Sequence, residues 1–203
     1  MAAAGGKALA TIRKAAGLLP NLLGIGRILA APLVAWLLLR GHLAEAFWVF
    51  LLAGLSDAID GELARRLGVV SRFGAVLDPA ADKILIGSGY AAAATVGLLP
   101  WWLAWLVIGR DVAILLIAGI TWLLRPGLLM LPLRIGKIST GTQIAGAGAV
   151  LAAAAYAWPP LDMRNGILAI ATVMTILSGL AYALNWIRTL RRRSLRPRDP
   201  PPA

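Results

Sequence analysis

Six long apolar runs separated by short breaks organise the chain, at about 22–40, 44–67, 74–98, 101–124, 138–158 and 165–187. Each is close to the roughly 20 residues that a helix needs to cross the hydrocarbon core of a bilayer. The breaks hold residues that end or turn helices. RGH follows the first run and RRLGVVSR the second, GLLP closes the third, RPGLLMLPLRIGK follows the fourth and WPP closes the fifth. The pattern predicts an all-α integral membrane protein. Short connections predict that its six transmembrane helices form a compact bundle.

Ahead of the first run, Leu9, Ile12, Leu18 and Leu19 fit one side of a short amphipathic helix on the membrane surface. A disordered lead-in is the alternative. Lys7, Arg13 and Lys14 have no apolar stretch between them, so no secretory leader is read there. The tail RRRSLRPRDPPPA is basic and proline-rich and is expected to be disordered. The expected organisation is a juxtamembrane segment at 1–19, a six-helix domain at 20–190 and a basic tail at 191–203. No soluble domain is left over, and no internal repeat is evident.

Composition supports the membrane assignment. The chain is 60% hydrophobic and only 14% charged, against roughly 25% charged in a soluble domain. The absence of cysteine excludes disulfide and thiolate chemistry. A single histidine, His42, argues against a His-built zinc site. The formal net charge of +11 fits an anionic lipid surface better than nucleic acid in so apolar a chain.

The basic residues are unevenly placed. Lys7, Arg13, Lys14 and Arg27 precede or open the first span. Arg65, Arg66 and Arg72 follow the second, and Arg125, Arg134 and Lys137 follow the fourth. Arg188, Arg191, Arg192, Arg193, Arg196 and Arg198 follow the sixth. Only Arg40 and Arg164 fall on the opposite side, and Lys83 and Arg110 fall inside spans. The positive-inside rule then puts both termini in the cytoplasm. Trp48, Trp101, Trp102 and Trp158 read as part of an interfacial belt, and His42 and Glu45 as solvated residues on the far side.

Against this background the stretch SDAIDGELARRLGVVSRFGAVLDPAADKI is anomalous. It holds Asp57, Asp60, Glu62, Asp78 and Asp82, five of the nine acidic residues. Asp57, Asp60, Gly61 and Ala64 share one stripe of a helix. Asp78 and Asp82, four apart, share a face of the next. Glu62 points about 140° from Asp57 and stands apart. The short connection makes these two helix ends neighbours, so two pairs of carboxylates converge. Carboxylates near a membrane are costly and commonly functional. Pairing with Arg65, Arg66, Arg72 or Lys83 accounts for one pair, not for four converging acids. A divalent cation relieves the repulsion. With oxygen ligands alone, Mg²⁺, Mn²⁺ or Ca²⁺ is suited, and four carboxylates have capacity for two metals. Gly61 and Ala64 leave a bare strip that serves helix packing or the close approach of a ligand, and Arg65 beside it can hold phosphate bidentately.

The complete spacing is Asp57, Asp60-Gly61, Ala64-Arg65, Gly74, Asp78 and Asp82. It resembles the signature of the CDP-alcohol phosphatidyltransferases at every fixed position. The resemblance covers roughly Pro20 to Gln143. It implies a metal-dependent transferase that cleaves a CDP-linked alcohol and releases CMP, with two divalent cations, Mg²⁺ or Mn²⁺. By that resemblance Asp57, Asp60, Asp78 and Asp82 hold metal, and Asp82 is also the catalytic base. Gly61, Ala64, Arg65 and Gly74 line the CDP site. PNLLGIGRILAAP resembles both the phosphatidylglycerophosphate synthases and the CMP-forming cardiolipin synthases. GRDVAILLIAGITW and LPLRIGKISTGTQIAG resemble the mitochondrial-type cardiolipin synthases more.

The expected activity is therefore phosphatidyl transfer from CDP-diacylglycerol to phosphatidylglycerol at the cytoplasmic face of a bacterial inner membrane. The alternative acceptor is glycerol 3-phosphate. Arg110, Arg134 and Lys137 are candidate acceptor-phosphate residues, although Arg110 has an ion-pair partner next to it in Asp111. The partners expected are the lipids and the bilayer, with no nucleic acid and with a homodimer left open. A cation or proton transporter is the alternative of another class. It would place ionisable groups at the midplane of several spans or show inverted repeats, whereas these acids gather at one surface.

Overall fold

The computed structural model describes residues 24–67, 74–124 and 133–194. The side chains of 57–79, 122, 124 and 190–194 lie outside that description. The described residues form six helices and no strand: α1 Gly24–Leu39, α2 Leu43–Leu67, α3 Gly74–Thr95, α4 Trp101–Leu124, α5 Arg134–Tyr156 and α6 Leu161–Ser194. The first four match their apolar runs to within three residues at each end, while α5 starts four residues before its run and α6 extends its run by four residues at the start and seven at the end. The surface segment expected at 1–19 lies outside the described residues.

Two turns show how local sequence sets the topology. Gly41 has φ +79°. Its N–H donates to the Leu38 carbonyl at 3.1 Å, and the His42 N–H donates to Leu37 at 2.9 Å. Gly97 has φ +78°. Its N–H donates to Ala94 at 3.1 Å and that of Leu98 to Ala93 at 2.9 Å. Both are Schellman caps, in which a left-handed residue satisfies the last helical carbonyls. Glycine takes that conformation without a Cβ penalty. α1 turns directly into α2, and α3 into α4, at one end of the bundle.

Packing follows the small residues. α5 lies against α6, α2 and α3, while α4 bridges α3 and α6. The buried centre contains Ala31, Val34, Phe50, Ile86, Tyr90, Ala104, Val107, Ala147 and Val150. Large apolar side chains such as Leu29, Leu52, Trp105, Leu116, Leu123 and Leu180 point outward. The outward Leu and Trp side chains suit a lipid surround. Lipid tails satisfy Leu as well as a core does, and close backbone approach through Gly and Ala provides the packing energy.

Among the described residues, three helices are long and apolar enough to cross a membrane, over Trp101–Thr121, Arg134–Tyr156 and Leu161–Thr189. The described apolar parts of α1 and α2 are Gly24–Leu39 and Leu43–Ser56. α2 continues past Ser56 to Leu67 through Asp57, Asp60, Glu62, Arg65 and Arg66. α3 carries Asp78, Asp82 and Lys83 in its first half. α6 runs past residue 190, through Arg191–Arg193, to Ser194. The tail expected to be disordered from 191 is thus helical for its first four residues, where no proline or glycine interrupts the helix. The rest of it lies outside the described residues.

Candidate functional site

The signature falls on the C-terminal half of α2 and the N-terminal half of α3. α2 is helical through Leu67, so Asp57, Asp60, Gly61 and Ala64 occupy positions i, i+3, i+4 and i+7 on one stripe, with Arg65 next in line. Gly74 is the first residue of α3, and Asp78 and Asp82 follow one turn apart. The side chains at Asp57, Asp60, Gly61, Ala64, Arg65, Gly74 and Asp78 lie outside the described residues. Among those described, no group of three His, Cys, Asp or Glu side chains is close enough to hold a metal.

Asp82 is described, and its environment is informative. Its carboxylate pairs with the Arg27 guanidinium of α1. The Arg27 side chain is 3% exposed and that of Asp82 is 26%. A buried guanidinium is costly unless a carboxylate compensates it. The pair therefore ties α1 to the start of α3. Arg27 also corrects a reading. Counted at first only among the basic residues that open the first span, it is buried and paired with Asp82. A signal was present: Arg27 is the sole ionisable residue between Asn21 and Leu39. Asp82 further lines a small cavity with Phe50, Gly54, Leu85, Ile86 and Ile144, so α2, α3 and α5 meet beside its carboxylate.

A second polar string starts one residue on. The Lys83 Nζ lies 2.7 Å from an Asp111 carboxylate oxygen, and the same oxygen pairs with Arg110. Arg110 also donates to Ser178 Oγ on α6, and its guanidinium lies 5.7 Å from the centroid of the Tyr182 ring. The Tyr182 hydroxyl accepts the Leu133 N–H at 3.1 Å, immediately before α5 begins. A Cβ on Gly136 would meet that hydroxyl at 2.8 Å, so glycine permits the approach. Lys83, Asp111, Arg110, Ser178 and Tyr182 thus join α3, α4, α6 and the start of α5 in one chain of contacts.

The three acceptor candidates separate on these grounds. Arg110 and Asp111 are buried, and their expected ion pair is present. Arg134 and Lys137 are exposed, one turn apart in the first turns of α5. Tyr182 connects the two sets, since it underlies Arg110 and holds the residue preceding Arg134.

Gln143 occupies the bundle interior. It is fully buried and donates through Nε2 to Thr175 Oγ1 at 2.9 Å, while its backbone carbonyl accepts the Tyr90 hydroxyl at 3.0 Å. The roles of Lys83, Ser178, Tyr182 and Thr175 carry no spacing signature, because each depends on which helix lies opposite.

The family profile for CDP-alcohol phosphatidyltransferases matches residues 17–178. The chain belongs to the CDP-alcohol phosphatidyltransferase family. Curated relatives in this family fall into two named groups. A Drosophila melanogaster protein named "Probable cardiolipin synthase (CMP-forming)" is 31% identical over 196 residues, covering 85% of this chain and 59% of that protein. A Streptomyces coelicolor cardiolipin synthase (CMP-forming) is 37% identical over 108 residues, 50% of each chain. The chloroplastic CDP-diacylglycerol–glycerol-3-phosphate 3-phosphatidyltransferase 1 of Oryza sativa subsp. japonica is 44% identical over 101 residues, 50% of this chain and 30% of that one. The chain thus spans less than two thirds of the length of these relatives. As a family member, it carries the eight-residue signature on two consecutive helices, α2 and α3.

Proposed function

We propose that the protein transfers the phosphatidyl group of CDP-diacylglycerol to phosphatidylglycerol, giving cardiolipin and CMP. The observation that carries this reading is the complete signature on α2 and α3, with Asp82 half-buried at a cavity where three helices meet. Support for a lipid acceptor comes from relatives named as CMP-forming cardiolipin synthases and from the sequence elements around Arg110 and Lys137.

In this reading Asp82 accepts the proton of the attacking hydroxyl of phosphatidylglycerol. The hydroxyl oxygen forms a bond to the phosphatidyl phosphorus, and the bond from that phosphorus to the bridging oxygen of CMP breaks. Arg27 orients the Asp82 carboxylate. Gly61, Ala64, Arg65 and Gly74 hold the cytidine diphosphate. Arg110, Arg134 and Lys137 serve the acceptor phosphate, with Tyr182 positioning them. Asp57, Asp60, Asp78 and Asp82 form an all-oxygen donor set with i, i+3 and i, i+4 helical spacing, which suits two hard cations, Mg²⁺ or Mn²⁺. When bound, these cations would neutralise the pyrophosphate and the departing CMP.

The same reading takes all six helices as spans. Both termini and the acids would face the cytoplasm of a bacterial inner membrane, opposite the Gly41 and Gly97 turns.

Glycerol 3-phosphate as acceptor is the second reading, favoured by the 44% match to the rice enzyme. Purified protein given CDP-diacylglycerol, Mg²⁺ or Mn²⁺ and either acceptor separates the two through CMP release. CMP with phosphatidylglycerol is expected. CMP with glycerol 3-phosphate alone would replace the first reading by the second, and none with either would end both.

A further inference from the structure

We infer that Lys83 is a further phosphate-binding residue, which exchanges its partner Asp111 for the phosphate of the acceptor. The inference rests on the proposed reading that a phosphate-bearing alcohol is delivered to Asp82. Lys83, Asp111 and Arg110 form a triad in which one carboxylate oxygen serves two cations. Two positive charges against one negative leave a surplus of one positive charge. Asp82, the residue before Lys83, is paired with Arg27. A surplus charge inside a membrane bundle is costly unless an anion compensates it. Arg110 has a further unmet demand. Its two terminal nitrogens donate to Asp111 and to Ser178, while its buried Nε has no hydrogen-bond partner among the described residues. Water could satisfy that N–H, but it carries no charge to balance the surplus. An oxyanion does both.

The two cations are not held alike. Arg110 is fixed by Asp111, by Ser178 and by the ring of Tyr182, and its side chain is 6% exposed. Lys83 has Asp111 as its one partner among the described residues, and its side chain is 22% exposed. An ammonium on a flexible stem, with three donors, can turn from one acceptor to another. A guanidinium fixed on three sides contributes its charge from a set place. Lys83 is therefore the member that moves. When it leaves, Asp111 and Arg110 remain as a neutral buried pair, so Asp111 positions both cations without being consumed by either.

Position identifies the phosphate. Asp82 and Lys83 are consecutive, with Cα atoms about 3.8 Å apart, yet they face different helices. Asp82 meets Arg27 of α1 and the cavity with α2 and α5, and Lys83 meets α4. In phosphatidylglycerol the attacking hydroxyl and the phosphate stand at opposite ends of one glycerol, and the same is true of glycerol 3-phosphate. A hydroxyl at Asp82 thus brings its own phosphate within reach of the neighbouring residue. Through Arg110 and Tyr182, Lys83 is also continuous with the start of α5, where Arg134 and Lys137 stand. The pyrophosphate of the donor is served differently, by Arg65 and by the cations that suit the acid set, whereas the acceptor phosphate has only protein cations to meet it.

The test separates a phosphate contact from a structural tie. CMP release is measured with phosphatidylglycerol and with its phosphate methyl ester, an uncharged triester that keeps the same hydroxyl. Lys83→Met removes the cation, Lys83→Gln removes it but keeps a donor for Asp111, and Lys83→Arg keeps both. The ratio of kcat/KM for the charged acceptor over the uncharged one is expected to fall about tenfold or more in Lys83→Met and Lys83→Gln, and to be largely restored in Lys83→Arg. Arg40→Gln, exposed at the turn after α1, is the control and should keep the wild-type ratio. A smaller folded fraction lowers both rates alike and cancels from the ratio. An unchanged ratio in the Met and Gln variants would make Lys83 a structural tie only. A raised KM for CDP-diacylglycerol with an unchanged acceptor ratio would give Lys83 to the donor. Either outcome overturns the inference. Wild-type protein is read first. CMP with glycerol 3-phosphate alone would remove the proposed acceptor but not Lys83, which is then tested by the ratio for glycerol 3-phosphate over glycerol, with the same fall expected. No CMP with either acceptor would remove both.

Discussion

Asp111→Asn tests whether the polar string through α4 holds the bundle together. The substitution keeps the shape of the side chain and removes the only anion described between Lys83 and Arg110. The Asp111 and Arg110 side chains are 9% and 6% exposed, while that of Lys83 is 22% exposed. Two magnitudes compete. Ordinary interhelical hydrogen bonds in a membrane average about 0.6 kcal/mol. Removing one partner of a buried ion pair costs about 3–5 kcal/mol, because a charge is left uncompensated. The second term governs here, since Arg110 has almost no route to water. Lys83 is less buried and can reach a polar surface, which puts the expected loss near the lower limit, about 3 kcal/mol.

Equilibrium unfolding in mixed micelles, titrated with a denaturing detergent, measures this. A triple variant, Lys83→Met with Arg110→Met and Asp111→Leu, should regain most of the loss, because apolar replacement of a whole buried ionic group is often near neutral. If Asp111→Asn costs less than about 1 kcal/mol, or if the triple variant is as unstable as the single one, then the string is not a structural tie.

Other perturbations address the site and the packing. Asp82→Asn should abolish CMP release, a loss of at least about 10²-fold for a general base, while CDP-lipid binding measured by calorimetry persists; retained turnover would remove Asp82 from that role. Gly146→Ala should cost about 1–3 kcal/mol through overpacking, since a Cβ there would lie 2.9 Å from the Tyr90 hydroxyl. Gly119→Ala, with open space at its Cβ, should change stability by less than about 1 kcal/mol, and the same unfolding assay compares the two. Gly41→Ala forces an L side chain into φ +79° and should cost about 1–2 kcal/mol, read as a lowered unfolding midpoint with turnover unchanged at permissive temperature.

The linear sequence was enough to locate the six helices, though not the full extent of α6, which runs on through Arg191–Arg193. Apolar runs long enough to span a bilayer are local properties, and so are the Gly41 and Gly97 turns that end two of them. The candidate acids were equally legible, because Asp57 with Asp60 and Asp78 with Asp82 are related by helical periodicity within single elements. The family signature also depends only on spacing along the chain. The run read at 44–67 takes in the charged positions of α2 and ends where the helix does, at Leu67.

Only tertiary packing decided the partners. Arg27 and Asp82 are 55 residues apart, and Arg110 and Ser178 are 68 apart. Such contacts follow from how helices rotate and cross, which small residues such as Gly136 and Gly146 permit. The small cavity at Asp82 arises in the same way, where Phe50 and Gly54 of α2 meet Leu85 and Ile86 of α3 and Ile144 of α5. Periodicity along one helix shows which residues share a face, while the identity of the opposing face is settled by close packing across the bundle.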